Sequence, residues 1–156
     1  MRPYDLDYLR KAIAVAAEAR EHGSHPFGAL LVDAAGQQLL EAENTVNTDH
    51  DITGHAETNL IRKASAAFPV EVLAGCTLYA STEPCAMCAG AIFWSGVGRV
   101  VYALSERGLL ELANPRSGWD FLNLPCREIF ARGGHAIEVL GPFLEDEARQ
   151  AHIDYW

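Results

Sequence analysis

Two short stretches of the chain carry side chains that could hold a metal ion and transfer a proton. His55 and Glu57 stand in "TGHAETN", and Cys85 and Cys88 stand in "PCAMC". Histidine nitrogen and cysteine sulfur are ligands that zinc prefers, and a carboxylate beside such a site can act as general acid and base. Together the four residues favour metal-assisted hydrolysis.

The CxxC pair alone leaves three interpretations open. It could be a redox pair, half of a structural zinc site, or two buried thiols without chemistry. A structural site needs four protein ligands, and the sequence has no second CxxC. His55 lies thirty residues before Cys85 and, like the cysteines, at a predicted helix start. Three ligands with a free acid nearby describe a catalytic zinc site.

A zinc ion held by His55, Cys85 and Cys88 would keep its fourth position open for water, whose pKa falls to roughly 7 on zinc. Two thiolates cancel the charge of the ion, so the site could accept an uncharged heterocycle. Glu57 follows His55 by two residues on the first helical turn. It therefore projects to a different side from the ligand, where it is free to move protons.

Alternating strands and helices must position these residues. The polar run 44–54 is typical of a loop, and residues 105–125 give no clear pattern. This alternation predicts an α/β fold with helices on both faces of a sheet. The apolar spacing predicts helices over 6–21, 55–67, 84–96, 126–134 and 144–156, and strands over 27–33, 37–43, 76–81, 99–104 and 135–141.

Length and composition narrow the class of protein. A chain of 156 residues fits a single domain, 1–156, with an ordinary core. It has no apolar run long enough for a membrane span and no apolar signal-peptide core near its first residues, which predicts a cytoplasmic protein. The balance of 12 Lys and Arg against 21 Asp and Glu gives −9, which argues against a nucleic acid partner. Cys76 and Cys126 are predicted to be buried thiols or residues without a role, because a reducing cytoplasm disfavours disulfides.

The motif "HAE" followed by "PCAMC" resembles the zinc nucleobase deaminases of the cytidine deaminase superfamily. The similarity runs from "HPFGALLVD" to "RVVYAL". It implies a three-layer sandwich with a central five-stranded mixed sheet between helices, one Zn²⁺ per chain and a homodimer. It also implies hydrolytic deamination, in which water attacks the ring carbon that bears an amine and Glu57 transfers protons until ammonia leaves.

Within the superfamily, "HPFGALLVD", "EN" and "CAGAIFWSG" resemble the guanine deaminases and, nearly as well, the tRNA adenosine deaminases. The resemblance implies that Phe27 stacks on the ring, Asn44 binds a ring carbonyl or ribose, and the backbone N–H of Ala56 reaches the base. In the same way Trp94 would wall the pocket and Asp120 would read the purine edge. The final aromatic residues, Tyr155 or Trp156, would close the pocket, either within the chain or across a dimer.

Guanine or guanosine is the first predicted substrate, although "SGWDF" has one acid, Asp120, where guanine deaminases carry an acidic pair. A related aminopurine, cytosine or an aminotriazine are the alternatives. A tRNA-specific adenosine deaminase would need an electropositive surface, which the charge of −9 disfavours. A non-catalytic, zinc-stabilised binding module would be expected to lack Glu57. The sequence thus predicts a zinc enzyme with a small-molecule substrate, no nucleic acid partner and no membrane segment.

Overall fold

The computed structural model describes residues 1–113 and 121–156. Within them, one sheet has the strand order β2-β1-β3-β4-β5. Strand β1 pairs antiparallel with β2 and β3, whereas the β3–β4 and β4–β5 pairs are parallel. The predicted five-stranded mixed sheet is therefore confirmed. The strands are β1 (Gly28–Val32), β2 (Gln38–Glu43), β3 (Thr77–Thr82), β4 (Arg99–Leu104) and β5 (Glu138–Leu140).

Helices cover both faces of the sheet because successive strand residues point to opposite sides. Ala29 and Leu31 of β1 pack toward α3, α5 and α7, while Leu30 and Val32 pack toward α1, α6 and α8. This arrangement confirms the predicted three-layer sandwich. The helices are α1 (Asp5–Glu21), α2 (Val46–Asp49), α3 (Ala56–Ala67), α4 (Val70–Leu73), α5 (Ala86–Ser95), α6 (Glu106–Ala113), α7 (Cys126–Phe130) and α8 (Glu145–Gln150).

The start of β1 lies directly against α1. A Cβ atom on Gly28 would lie 2.5 Å from the carbonyl oxygen of Ala12 and 2.7 Å from Cβ of Val15. These distances are too short for any side chain, so only glycine allows the helix to approach so closely. The position of Phe27, which directly precedes this contact, therefore depends on the packing of α1.

A buried ion pair joins α1 to the first residue of β4. Arg99 is 4% exposed and donates from Nη1 and Nη2 to the two carboxylate oxygens of Asp5, at 2.9 and 2.7 Å. The hydroxyl group of Tyr79 donates to Asp5 Oδ1 at 2.6 Å. Burial raises the pKa of Asp5, but the hydrogen bonds from Arg99 and Tyr79 outweigh it and lower the pKa to about 2. We call these three residues the Asp5 cluster.

The last part of the chain differs from the prediction of one helix over 144–156. Helix α8 ends at Gln150, and turns follow it. Arg20 Nη1 donates to the carbonyl oxygens of Ala151 and Ile153, at 3.1 and 2.6 Å, so both oxygens accept from a side chain of α1. Asp154 has a φ of 56°, which is left-handed and breaks the helical path.

The irregular regions contain more structure than their composition indicates. The predicted loop 44–54 holds the short helix α2, whose Val46 N–H donates to the side chain of Asn44 at 3.0 Å. Helix α6 falls in the range that gave no pattern, and α4 was not predicted. Cys76 and Cys126 are buried free thiols, as predicted. Across 1–113 and 121–156, no helix combines the length and apolar character that crossing a membrane requires.

Candidate metal centre and cavity

The starts of two helices bring the three predicted metal ligands together. His55 is the residue before α3, Cys85 is the residue before α5, and Cys88 lies on the first turn of α5. Nδ1 of His55 lies 3.5 Å from Sγ of Cys85 and 3.5 Å from Sγ of Cys88. All three ligand atoms lie within 4.8 Å of one another. Together with Glu57 we call these residues the metal cluster.

The geometry of this cluster fits zinc. Zinc bonds of roughly 2.0 Å to nitrogen and 2.3 Å to sulfur, arranged as a tetrahedron, place the two atoms about 3.5 Å apart. The observed separations of 3.5 Å agree with that value. A set of one imidazole and two thiols is also the donor set of a catalytic zinc with an open position. The structure therefore supports zinc over a redox pair or inert thiols.

The surroundings favour the thiolate that such a site needs. The hydrogen bond from Cys88 is the largest cause that lowers the pKa of Cys85, and a hydrogen bond from His55 lowers it as well. Cys85 also stands at the start of α5, where free backbone N–H groups favour negative charge. Cys85 is therefore the first of the two thiols to ionise.

Glu57 faces the metal ligands from the first turn of α3. Its side chain is buried, with 6% of the residue exposed, and Oε2 accepts a hydrogen bond from Sγ of Cys88 at 3.6 Å. Burial, followed by the negative charge of Cys85, raises the pKa of Glu57 to about 7. The carboxyl group thus lies next to the ligands without being one of them, as expected for the predicted proton shuttle.

A cavity of about 410 Å³ opens in front of the metal cluster. This volume lies in the range of pockets that bind small molecules. Its walls include the apolar side chains of Phe27, Leu109 and Trp156 and the carboxyl groups of Glu57, Glu83 and Glu106. Among the lining residues in the described part of the chain, none is Lys or Arg.

Apart from Trp94, the residues predicted to contact the substrate fall into three groups. Phe27, Asn44 and Trp156 line the cavity. Ala56 is fully buried at the first position of α3, next to His55, and Tyr155 contacts the lining residue His25 without lining the cavity itself. Asp120 lies outside the described residues.

The prediction that Trp94 walls the pocket is wrong for the single chain. Trp94 is 85% exposed and does not line the cavity. It follows Cys85 by nine residues. Because an α-helix turns roughly 100° per residue, this spacing places Trp94 about half a turn from the ligand, on the opposite face of α5.

The final residues fold back over the cavity within the same chain. His152 is 2% exposed, and burial lowers its pKa to about 4, so the imidazole is neutral and can accept a hydrogen bond. Trp156 Nε1 donates to His152 Nδ1 at 3.2 Å, and the Tyr155 hydroxyl lies 2.6 Å from His25 Nδ1. In this structure Trp156 therefore lines the cavity of its own chain.

Three polar residues of the cavity wall were not predicted from the sequence. Thr82 ends β3, and the carboxylate of Glu83 accepts the backbone N–H groups of Glu106, at 3.0 Å, and Cys126, at 3.2 Å. Burial, followed by the negative charge of Glu83, raises the pKa of Glu106 to about 7. Ser105 is the sequence signal that could have located α6, because its hydroxyl caps the helix by accepting the Gly108 N–H.

Comparisons with known proteins agree with this site. The family described as the cytidine and deoxycytidylate deaminase zinc-binding region matches residues 3–104. A probable cytosine deaminase from Schizosaccharomyces pombe is 45% identical over 97% of this chain and 92% of its own length. A guanine deaminase from Bacillus subtilis is 42% identical over 67% of each chain. A structure from a study of A-to-I editing by tRNA:A34 deaminases has a TM-score of 0.72 and 26% identity, covering 94% of this chain and 99% of that chain.

Proposed function

Because the chain belongs to the cytidine and deoxycytidylate deaminase family, we propose that it releases ammonia hydrolytically from an amino-substituted nucleobase or nucleoside, with cytosine as the first candidate. Membership of this family shows that the chain is a zinc-binding deaminase. The identity of its substrate is our proposal. The observation that carries the proposal is the position of Glu57 beside the ligand set of His55, Cys85 and Cys88, at a cavity of a size for a small molecule.

In this mechanism the protein holds the metal and moves the protons. His55, Cys85 and Cys88 would bind the zinc ion, which when bound activates water as the nucleophile at neutral pH. Glu57 would take a proton from the attacking water and deliver it to the ring nitrogen next to the reacting carbon. The carboxylate would then take the remaining proton of the oxygen now bound to that carbon and deliver it to the amine, so that the C–N bond breaks, the carbon becomes a carbonyl and ammonia leaves. Phe27 and Trp156, which line the cavity, would lie against the ring.

The comparisons change the order of the candidate substrates. The sequence alone places guanine or guanosine first, with cytosine as an alternative. The relative named as a probable cytosine deaminase matches 97% of the chain, whereas the guanine deaminase matches 67%. Because the match to the probable cytosine deaminase extends over more of the chain, we place cytosine ahead of guanine.

A small substrate is favoured over RNA by the charges of the protein. The formal net charge is −9, and the ionisable side chains that line the described part of the cavity are acids, histidines and Cys85. Binding an RNA stem depends on Lys and Arg contacts to phosphates. A tRNA adenosine deaminase nevertheless remains the second candidate, because of the likeness to the tRNA:A34 deaminase structure.

Ammonia release from a panel of compounds tests this proposal. The panel contains cytosine, cytidine, guanine, guanosine, adenine, an aminotriazine and a tRNA anticodon arm, and zinc is measured in the same preparation. We expect release from a nucleobase by protein that contains zinc. Release from the RNA alone would transfer the assignment to the second candidate, and release from no compound would refute the proposal.

We also propose that residues 1–156 act as one domain and assemble as a homodimer. Two side chains of α5 expose apolar surface that a second copy could cover. They are Trp94, which is 85% exposed, and Met87, which is 38% exposed. Light scattering after size exclusion would give the mass of the particle, and a monomer at micromolar concentration would contradict the dimer. The cytoplasmic location stays a prediction from the sequence.

A further inference from the structure

The hydroxyl group of Thr58 contacts one of the predicted metal ligands. Thr58 stands on the first turn of α3, and its Oγ1 lies 3.3 Å from Sγ of Cys88 on the first turn of α5. Cys88 is fully buried, and Thr58 is partly buried. In the part of the chain that the structure describes, this is the one hydrogen bond of the Thr58 side chain. The contact therefore joins the two helices at the metal cluster itself.

The backbone before Thr58 leaves its hydroxyl group free for this contact. A threonine in a helix commonly donates its hydroxyl to the carbonyl oxygen three or four residues earlier, here that of His55 or Gly54. The Gly54 oxygen already accepts the Thr45 N–H at 2.8 Å and the Asn59 side chain at 3.3 Å. The His55 oxygen accepts the Asn59 N–H at 2.8 Å. The hydroxyl hydrogen is thus available to the sulfur atom.

The chemistry of a zinc ligand gives this hydrogen bond its direction. Cysteine binds zinc as the thiolate, which carries no proton and can only accept. Without the metal, the Cys88 thiol donates to Oε2 of Glu57 at 3.6 Å, so its sulfur is again the acceptor toward Thr58. Thr58 is the donor in both states.

The two cysteines of the metal cluster receive their hydrogen bonds from different sources. The backbone N–H of Cys88 donates to the sulfur of Cys85. The sulfur of Cys88 is instead reached by the hydroxyl group of a side chain. A hydrogen bond to an ionised acceptor is stronger than one between neutral groups. Because Cys88 is fully buried, bulk water cannot take the place of this donor.

We propose that Thr58 is a positioning residue of the zinc site, whose hydroxyl group donates a hydrogen bond to the Cys88 sulfur and holds it in place as a ligand. This inference rests on the proposed binding of zinc by His55, Cys85 and Cys88. Groups that hydrogen-bond to metal ligands orient them and stabilise their charge, and their loss typically lowers metal affinity by about 10- to 100-fold. Thr58 thus strengthens zinc binding through Cys88.

Zinc affinity measures this contribution. Thr58→Val keeps the shape of the side chain and replaces the hydroxyl group by a methyl group. In a competition titration against a chelator, we expect this variant to bind zinc about 10- to 100-fold more weakly than the wild type. Thr58→Ser keeps the hydroxyl group and should bind zinc nearly as tightly as the wild type. Wild-type affinity in Thr58→Val, or equal weakening in Thr58→Ser, would overturn the proposal.

The absorption of bound cobalt gives a readout that a change in packing alone would not produce. Co²⁺ takes the same kinds of ligands as zinc, and its thiolate complexes absorb in the near ultraviolet when an electron passes from sulfur to metal. A hydrogen bond holds the sulfur electrons more tightly. Its loss in Thr58→Val should therefore move this band to longer wavelength, while Thr58→Ser should keep the wild-type band. An unchanged band in Thr58→Val would show that the hydroxyl group does not donate to a ligand.

Ser65 provides a matched control on the same helix. It is exposed, about two turns after Thr58 along α3. Ser65→Ala should keep the wild-type zinc affinity and cobalt band. Circular dichroism of each variant separates lost affinity from lost folding, and Thr58→Ala, with the same expected results, takes the place of Thr58→Val if the latter does not fold.

Failure of this inference can be told apart from failure of the proposed function. If the wild type binds zinc and deaminates a base, but Thr58→Val matches it in affinity and cobalt band, only the role of Thr58 is refuted. Wild-type protein that binds zinc but deaminates no base refutes the proposed function alone, and the metal measurements still decide the role of Thr58. Wild-type protein that binds no zinc refutes both.

Discussion

The Asp5 cluster and the metal cluster are both buried groups of ionisable residues, but they are satisfied in different ways. Asp5 receives hydrogen bonds from Arg99 and Tyr79, which hold its pKa at about 2. Glu57 is also buried and faces two thiols, and its pKa is raised to about 7. The Asp5 carboxylate is paired with an arginine, whereas Glu57 has only the imidazole of His55 as a cationic neighbour, and this does not offset its burial.

This difference separates a structural cluster from a functional one. A buried charge with a full set of partners fixes the elements that carry it, here α1, β3 and β4. A buried acid without a paired cation is held partly protonated near neutral pH, since burying an uncompensated charge is costly. A carboxyl group in this state can both accept and donate a proton, which suits the predicted role of Glu57.

Removing a metal ligand should have the largest effect. We expect His55→Ala to lose bound zinc and to fall to background activity, because two thiolates alone cannot complete the site. Zinc analysis of the purified protein together with ammonia release measures both. His22→Ala, at an exposed histidine paired with Glu43, should retain both properties. Zinc retained in His55→Ala would mean that this residue is not a ligand.

Removing the proton shuttle should affect activity alone. Glu57→Gln should keep zinc and lower kcat by about 10²- to 10⁴-fold, because the ligands remain while proton transfer is lost. Steady-state ammonia release and metal analysis on the same sample test this. Glu71→Gln, at an exposed acid of α4, serves as the matched control. Normal turnover by Glu57→Gln would assign proton transfer to another group.

Breaking the Asp5 cluster should lower stability and spare the zinc site. Arg99→Met leaves the Asp5 carboxylate buried without its cation, and we expect the free energy of unfolding to fall by about 3–5 kcal/mol. Zinc content should not change, because Arg99 begins β4 and the metal cluster lies beyond the other end of the strands. Urea unfolding measures the free energy of unfolding. Adding Asp5→Asn to Arg99→Met should restore part of the lost free energy. A loss below about 1 kcal/mol would show that the ion pair contributes little.

Acid should act on the Asp5 cluster with a defined sign. The folded pKa of about 2 lies below the ordinary value of 3.8, so the ionised carboxylate stabilises the fold. This contribution, about 2 kcal/mol, is complete above about pH 4 and is lost as the pH falls toward about 2. The difference in unfolding free energy between wild type and Asp5→Asn should shrink across that range. A constant difference would contradict the lowered pKa.

The sequence predicted the metal cluster because spacing and residue type are enough to define it. The predicted ligands lie at the starts of two helices, His55 at α3 and the CxxC pair at α5. Pro84 and Gly96 mark the two ends of α5 in the sequence. The phase of α5 was not used in the prediction, and Trp94 was therefore assigned to the wrong face.

The rest of the cavity could not be predicted because it depends on contacts distant in sequence. The end of α8 is set by Arg20, more than a hundred residues earlier in the chain. The place of Glu106 depends on an oxygen of Glu83, and no local pattern in "SERGLLEL" shows that contact. The missing partner of Thr82 is visible only once its neighbours are placed.

Gly28 suggests how the shape of this pocket could be engineered. No atom can be added at this position while α1 stays where it is, since a Cβ would meet the backbone of Ala12 and Ala16. A methyl group introduced there would act as a spacer that pushes α1 away from β1. Phe27, the preceding residue, would move with it, so the width of the pocket can be adjusted from the opposite face of the sheet without changing a proposed catalytic group.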